Sequence, residues 1–180
     1  MKKLFAALAA LILLLAPLCG CAGRAAPSPE EVSGALSSPF SADVSVTCRG
    51  SEYSGVLTRR ADGIDVKMEA PAIFRGMLIS FSGGEAAVSY HGLSFSLPSD
   101  KLPAASVIGA VVSVLDGELD PDGLSVQPAK DGSGALLITG DGFVLSAAPS
   151  DALGGALAPT RLEVPSEELV AIFENVAPAE

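Results

Sequence analysis

Apolar and polar residues alternate along most of the chain after Pro39, and this pattern is typical of strands with one buried face. The alternation is clearest from Ile64 to Glu69, where every apolar residue is followed by a charged one. Short glycine-containing turns separate the alternating segments. The predicted strands lie at 40–48, 53–60, 64–69, 77–81, 85–90, 93–97, 124–128, 135–139, 142–147, 161–164 and 169–176.

The connections between these segments predict how the strands pair. Turns of two to five residues join the first six strands, apart from a looser link at 71–76, and such short turns produce an antiparallel meander. A loop of small residues is predicted from Ser150 to Pro159. The last segment is open to two interpretations, since the run at 167–170 is equally compatible with the start of a helix. One apolar face per strand predicts a sheet covered on one side and solvated on the other.

Two segments have helical features. Ser28 precedes Pro29 and two glutamates, which is the arrangement of an N-cap, a first-turn proline and first-turn acids, and this short helix is expected to end near Ser37. The second segment has an apolar stripe at helical spacing, formed by Val107, Ile108, Val111, Val112 and Leu115. The apolar face of the sheet offers this stripe a surface to cover. The predicted class is therefore mainly β, of the α+β type.

The chain begins with features of a secretory leader. Lys2 and Lys3 form a short positive region, and Leu4 to Ala16 is an unbroken apolar run of 13 residues. A helix that crosses the hydrocarbon core needs roughly 20 residues, so this run suits a secretory apolar region instead. Pro17 breaks the helix near its end.

The next four residues, Leu18-Cys19-Gly20-Cys21, resemble the bacterial lipobox, with an aliphatic residue at −3, a small one at −1 and then cysteine. The resemblance implies that Cys21 is diacylated at sulfur and that the leader is cut before it. The rival register, with Cys19 as the modified residue, places Leu18 where a small residue is required. An uncleaved anchor is the other alternative.

Lipidation at Cys21 fixes the expected organisation of the chain. Two acyl chains give stable anchoring where a single chain binds only reversibly. The prediction is a signal peptide at 1–20, a lipidated tether at 21–29 and one half-barrel domain at 30–180. The protein is then exported and held, through the diacylglyceryl group, on the outer face of the cell membrane or on the periplasmic side of an envelope membrane.

The charge of the chain excludes nucleic acid as a partner. Without Lys2 and Lys3, nine basic residues remain against 21 acidic ones, so the mature chain carries a net charge of −12. Such a surface repels phosphate groups. The chain has no tryptophan and 5% aromatic residues, which leaves little material for stacking on bases.

Catalysis, metal binding and a cofactor are not predicted. His91 is the only histidine, and no serine lies in a Gly-x-Ser-x-Gly motif. The acidic run at 118–123 is similar to the first half of a calcium loop, but position 12 is Ala129 instead of the bidentate glutamate. In the predicted mature chain no other free cysteine remains to form a disulfide with Cys48. Its position on the apolar face of its strand predicts a buried, inert thiol.

Four stretches of the sequence resemble the LolA/LolB lipoprotein-carrier superfamily. They are Phe40-Ser41-Ala42, Gly55-Val56-Leu57-Thr58-Arg59-Arg60, Pro71 with Phe74-Arg75-Gly76, and Val88-Ser89-Tyr90-His91-Gly92-Leu93. The resemblance spans roughly residues 40–97 by pattern and the remainder by element order. It implies a curved antiparallel half-barrel of about 11 strands, with a short N-terminal helix and one apolar helix covering the concave face.

This fold offers one candidate site, the apolar wall beneath the helix. Its predicted lining residues are Val44, Val46, Leu57, Val66, Met68, Met77, Ile79, Phe81, Val88, Phe95, Val107 and Val111. They form either an open lipid pocket or an ordinary filled core. Arg59 and Arg60 at its border are either grips for an anionic headgroup or solvated charges at the end of a strand.

The expected function is a non-catalytic binding module for a hydrophobic ligand of the lipid or acyl type. The alternative is an adaptor or regulator with a filled core, which binds a protein partner of the cell envelope. An unfilled cavity between sheet and helix favours the first, and an exposed patch large enough for a partner favours the second.

Overall fold

A computed structural model describes residues 27–99, 107–116, 121–130 and 133–179. The lipidation candidate Cys21 and the leader before it lie outside the described residues. So do Glu118 and Asp120, the first two acids of the run that is similar to a calcium loop.

Eleven antiparallel strands form a single curved, unclosed sheet, which confirms the predicted fold class. The order across the sheet is β6-β5-β4-β3-β2-β1-β11-β10-β9-β8-β7. The strands are β1 (Phe40–Cys48), β2 (Ser51–Arg60), β3 (Gly63–Ala70), β4 (Leu78–Ser82), β5 (Glu85–Tyr90), β6 (Leu93–Pro98), β7 (Ser125–Pro128), β8 (Leu136–Gly140), β9 (Phe143–Pro149), β10 (Leu157–Val164) and β11 (Leu169–Ala177).

The first and last strands join two meanders into this sheet. β1 pairs with β2 on one side and with β11 on the other, with Val44 opposite both Gly55 and Phe173. The run at 167–170 therefore leads into a strand, so of the two interpretations of this segment the strand is correct. Asp43 and Asn175 add a side-chain hydrogen bond of 2.7 Å across the join, in which the amide donates.

Helix α1 (Pro29–Leu36) begins where the sequence predicts. The Ser28 backbone N–H donates to the Glu31 carboxylate at 2.9 Å, and the Glu31 N–H donates to the Ser28 hydroxyl at 3.3 Å. This reciprocal pair is a capping box, which satisfies two N–H groups that a helix start leaves without partners. Val32 and Leu36 are the buried residues of the helix.

Helix α2 (Val107–Asp116) covers the apolar face of the sheet, as predicted. We call this the inner face. Its buried helix residues are Ala110, Val111, Val112, Val114 and Leu115, and they belong to one core cluster with residues of both helices and both meanders. Removing so much apolar surface from water is the main stabilising contribution to the domain.

The predicted loop from Ser150 to Pro159 is wrong in its second half. A short 3-10 turn occupies Asp151–Leu153, and β10 then begins at Leu157. Pro159 lies inside this strand, fully buried and opposite Ala147. The register shifts between Pro159 and Arg161, and such a bulge accommodates a residue that has no N–H to donate.

Candidate functional site

One row of apolar residues crosses the inner face from the core to the edge of the sheet. Val66 lies opposite Ile79, Ile79 opposite Val88, and Val88 opposite Phe95. The exposed fraction is 1% for Val66 and 9% for Val88, but 59% for Phe95. The apolar wall is therefore continuous from the core to β6, and only its outer end is open to solvent.

Two more large apolar side chains lie near this outer end. Leu93 is on the same face of β6 as Phe95 and is 75% exposed. Ile73 lies in the 3-10 turn between β3 and β4 and is 69% exposed. The Tyr90 hydroxyl donates to the Ile73 carbonyl oxygen at 2.5 Å, which holds this turn beside the β5–β6 hairpin. We call Ile73, Leu93 and Phe95 the apolar rim.

The predicted lining residues fall into three groups by burial. Eight are buried, namely Val44, Val46, Leu57, Val66, Met68, Phe81, Val88 and Val111. Met77, Ile79 and Val107 are half-buried and pack against the core. Phe95 is exposed. Around β1–β3 these side chains are ordinary core, and toward β4–β6 the same wall becomes accessible.

Ile73 and Leu93 are missing from the residues that the sequence indicated as lining. The alternation at 93–97 places Leu93 on the same face as Phe95, so a signal for Leu93 was present. Ile73 lies in the looser link at 71–76. This segment has no alternating pattern from which the direction of a side chain could be predicted. The hydrogen bond from Tyr90, 17 residues away, fixes its position.

Arg59 and Arg60 point to opposite faces of β2 and do not form one headgroup clamp. Arg59 lies on the inner face, half-buried. With Ser33, Leu36, Ser37, Val114, Leu115 and Leu145 it lines a cavity of about 10 Å³. A space of that size holds about one water molecule, which is far too little for an acyl chain.

Arg60 lies on the outer face among acidic residues. Its guanidinium forms ion pairs with Asp65 and, at 3.2 Å, with Asp62. The hydrogen bond with Asp65, followed by the one with Asp62, raises the pKa of Arg60 above its ordinary value. Arg60 thus acts within its own hairpin and is turned away from the inner face.

His91 and Cys48, the other two residues that the sequence analysis considered for chemistry, lie apart from each other. His91 is exposed in the β5–β6 turn, and its ring meets that of Tyr90 edge-on at 4.2 Å between centroids. Cys48 is buried, as predicted, and its thiol donates to the Glu167 carbonyl oxygen at 3.4 Å. Within the described parts of the chain, no three His, Cys, Asp or Glu residues are grouped as metal ligands.

Among the described residues, neither helix has the length and apolar character needed to span a bilayer.

No protein-family model matches the chain, and no curated protein matches it in sequence. Solved structures do match. An uncharacterized conserved protein from Thermus thermophilus is 13% identical, with 84% of this chain and 85% of that chain covered and a TM-score of 0.54. A LolA superfamily protein from Nitrosomonas europaea is 14% identical, with coverages of 86% and 95% and a TM-score of 0.47.

The Pseudomonas aeruginosa MucA/MucB complex contains a chain that is 14% identical, with coverages of 84% and 57% and a TM-score of 0.47. A LolA superfamily protein is thus among the structural neighbours, as the sequence resemblance predicts. At 13% identity, the likeness to the Thermus thermophilus protein concerns the fold alone.

Proposed function

We propose that the protein is an extracytoplasmic, non-catalytic binding module, anchored through a diacylglyceryl group on Cys21, that binds a hydrophobic acyl-type ligand. The ligand lies on the inner face of β4–β6, against Phe95 and Leu93. The observation that carries the proposal is the row from Val66 to Phe95, which passes from buried core to open surface without a polar interruption.

The energetics favour a ligand that lies on the outer end of the wall instead of entering the core. Burying a side chain such as Phe or Leu yields about 1.5–3 kcal/mol, so covering the exposed parts of Phe95 and Leu93 yields roughly 2–4 kcal/mol. The ligand contributes about 0.8 kcal/mol for each CH₂ group that it buries. Around β1–β3 the inner face is already filled by side chains and offers no such gain.

The proposal is tested with the mature chain carrying Cys21→Ser and a dansyl-labelled C11 fatty acid as the probe. We expect the dansyl fluorescence to rise and shift to the blue on binding. Phe95→Ser and Leu93→Ser should each weaken binding about tenfold, which corresponds to the loss of about 1.4 kcal/mol. Leu137→Ser is the matched control, because Leu137 is 38% exposed on the outer face of β8 and should not matter.

Each outcome of this titration has a definite meaning. Equal binding by the Phe95, Leu93 and Leu137 variants places the ligand elsewhere and overturns the site. Absence of binding by the unsubstituted domain overturns acyl binding altogether. Anchoring has its own test, since Cys21→Ser should abolish labelling of the cell-borne protein by azido-palmitate, and persistent labelling contradicts it.

A protein partner of the cell envelope is the second candidate, and the filled core beneath α2 favours it. A half-barrel whose described inner-face residues around β1–β3 are buried core can still present the apolar rim to another protein. This candidate predicts that the dansyl probe fails to bind while the Phe95 and Leu93 substitutions disrupt a complex recovered by cross-linking in cells.

A further inference from the structure

The outer edge of β6 is a strand edge that, among the described residues, no other strand pairs with and that has no charged side chain of its own. β6 is the terminal strand of the sheet, and within the described ranges it pairs only with β5. Leu93-Ser94-Phe95-Ser96-Leu97-Pro98 has no charged residue. The opposite edge, β7, has four residues against six in β6, and both edge strands end in proline, at Pro128 and Pro98. Native proteins usually cover, shorten or charge such an edge, because its free backbone groups recruit another strand.

The turn before β6 determines which backbone groups face outward. His91 and Gly92 have φ values of 49° and 80°, and positive φ at both positions of a two-residue loop defines a type I′ hairpin. Tyr90 and Leu93 then form the closing hydrogen-bonded pair, and such pairs alternate along the ladder. The backbone N–H and C=O groups of Ser94 and Ser96 therefore point away from β5, toward the open edge.

This edge is complementary to itself. If a second copy runs antiparallel with Phe95 at the two-fold axis, Ser94 of each copy pairs with Ser96 of the other. Their outward N–H and C=O groups then form four hydrogen bonds. Phe95 lies opposite Phe95, and Leu93 opposite Leu97, on the inner face. The same pairing covers two residues of the apolar rim.

We propose that two copies of this chain associate through β6 in this antiparallel register, joining their sheets into one continuous sheet. The strand contributes no charge to the interface, although each mature copy carries a net charge of −12, from nine basic and 21 acidic residues, and long-range repulsion opposes the encounter. Salt screens charges separated by more than about 8 Å at physiological ionic strength. Association is therefore expected to strengthen as salt is added, whereas a basic foreign strand would bind more weakly.

The test measures the solution mass of the Cys21→Ser chain, so that acyl chains do not drive association. Analytical ultracentrifugation should show a monomer–dimer equilibrium that shifts to dimer between about 0.05 and 0.5 M NaCl, a range over which the Debye length falls from roughly 14 Å to roughly 4 Å. Ser96→Pro removes an outward N–H that β5 does not use, and should weaken the dimer at least tenfold. Ser96→Thr keeps the N–H and should leave the dimer intact.

A second variant tests the proposed β6 dimer if Ser96→Pro disturbs the fold. Phe95→Cys places two thiols opposite each other at the two-fold axis, and mild oxidation should produce a disulfide-linked dimer, because the native Cys48 is buried. Leu137→Cys, on the outer face of β8, is the control and should stay monomeric. A monomer at every concentration and salt level, or equal cross-linking of both variants, overturns the proposal.

This inference uses Phe95 and Leu93, which the proposed acyl site also uses, but the two proposals can fail separately. Ser96→Pro leaves Phe95 and Leu93 in place, so the dansyl titration can be repeated on the monomeric variant. Loss of the dimer with retained probe binding supports both, whereas a monomeric Ser96→Pro variant that fails to bind the probe overturns only the ligand site.

Discussion

The inner face of the sheet shows the same alternation of apolar and polar residues at both ends of the first meander. The burial of its apolar side chains differs between the two ends. On β1–β3 its apolar residues are nearly all buried, and on β6 two of them are more than half exposed. The strands also differ in length, with eight to ten residues in β1–β3 and five or six in β4–β6. The buried end of this face is the end that α2 contacts, through β3, so packing against the helix separates the core from the part that remains available for binding.

The largest expected contrast is between Leu57 and Leu93. Leu57 is fully buried on β2, and truncation to Ala should lower the free energy of unfolding by about 3 kcal/mol through lost burial and the cavity left behind. Leu93→Ala on β6 should change it by less than about 0.5 kcal/mol. Urea unfolding followed by circular dichroism measures both. Equal losses would show that β6 is as tightly packed as β2 and would remove the contrast.

Two glycines give a smaller contrast. A Cβ added at Gly63, at the start of β3, would collide with the Phe81 carbonyl oxygen of β4. Gly63→Ala should therefore destabilise the domain by more than ~1 kcal/mol. Gly34→Ala is the control, because nothing lies within 4 Å and the helical position should gain about 0.5–1 kcal/mol. A Gly63→Ala variant as stable as the parent would mean that β3 and β4 separate readily, and that the open region begins one strand earlier.

The smallest effect is a pH dependence at the start of α1. A hydrogen bond from its own backbone N–H, and then one with the Ser28 side chain, lowers the pKa of Glu30 below its ordinary value of 4.5. Because the folded-state pKa is depressed, the stabilisation is present above pH 4.5 and is lost as the pH falls through the lower folded value. The melting temperature of Glu30→Gln should thus lie below the parent's at pH 7 and approach it in acid.

Glu52→Gln serves as the control for this pH series, since Glu52 is exposed on β2 and far from a helix start. Its melting temperature at pH 7 should stay close to the parent's, because substitutions at exposed positions usually have small effects. If both variants follow the parent in parallel at all pH values, α1 does not contribute to the cooperative unit that includes the filled core.

Local sequence chemistry predicted most of the elements. Ser28 and Glu31 predicted the start of α1, and strict alternation predicted β1 and β3, because each signal depends on neighbouring residues. The small residues at 150–159 led to the prediction of a loop where β10 begins, and a bulge in the pairing with β9 accommodates Pro159 inside that strand. The bulge forms in the pairing with β9, and the local sequence around Pro159 does not indicate this pairing.

The candidate site was only partly predictable for the same reason. Phe95 and Val88 were placed on the correct face by their period of two, but their different exposure depends on how far the helices extend across the sheet. The opposite directions of Arg59 and Arg60 follow from that same period. Ile73 required a hydrogen bond between two distant turns, which sequence patterns do not contain.

The join between β1 and β11 has a consequence for how this protein is made. Its partners are far apart along the chain, as the hydrogen bond across 132 residues between Asp43 and Asn175 shows. Contacts of such long sequence separation form slowly, because the entropy of closing the intervening loop is lost first. The nascent chain therefore cannot complete its sheet until β11 has been synthesised. Such a delay suits the export proposed above, because a chain that threads through a membrane pore must still be unfolded when it enters.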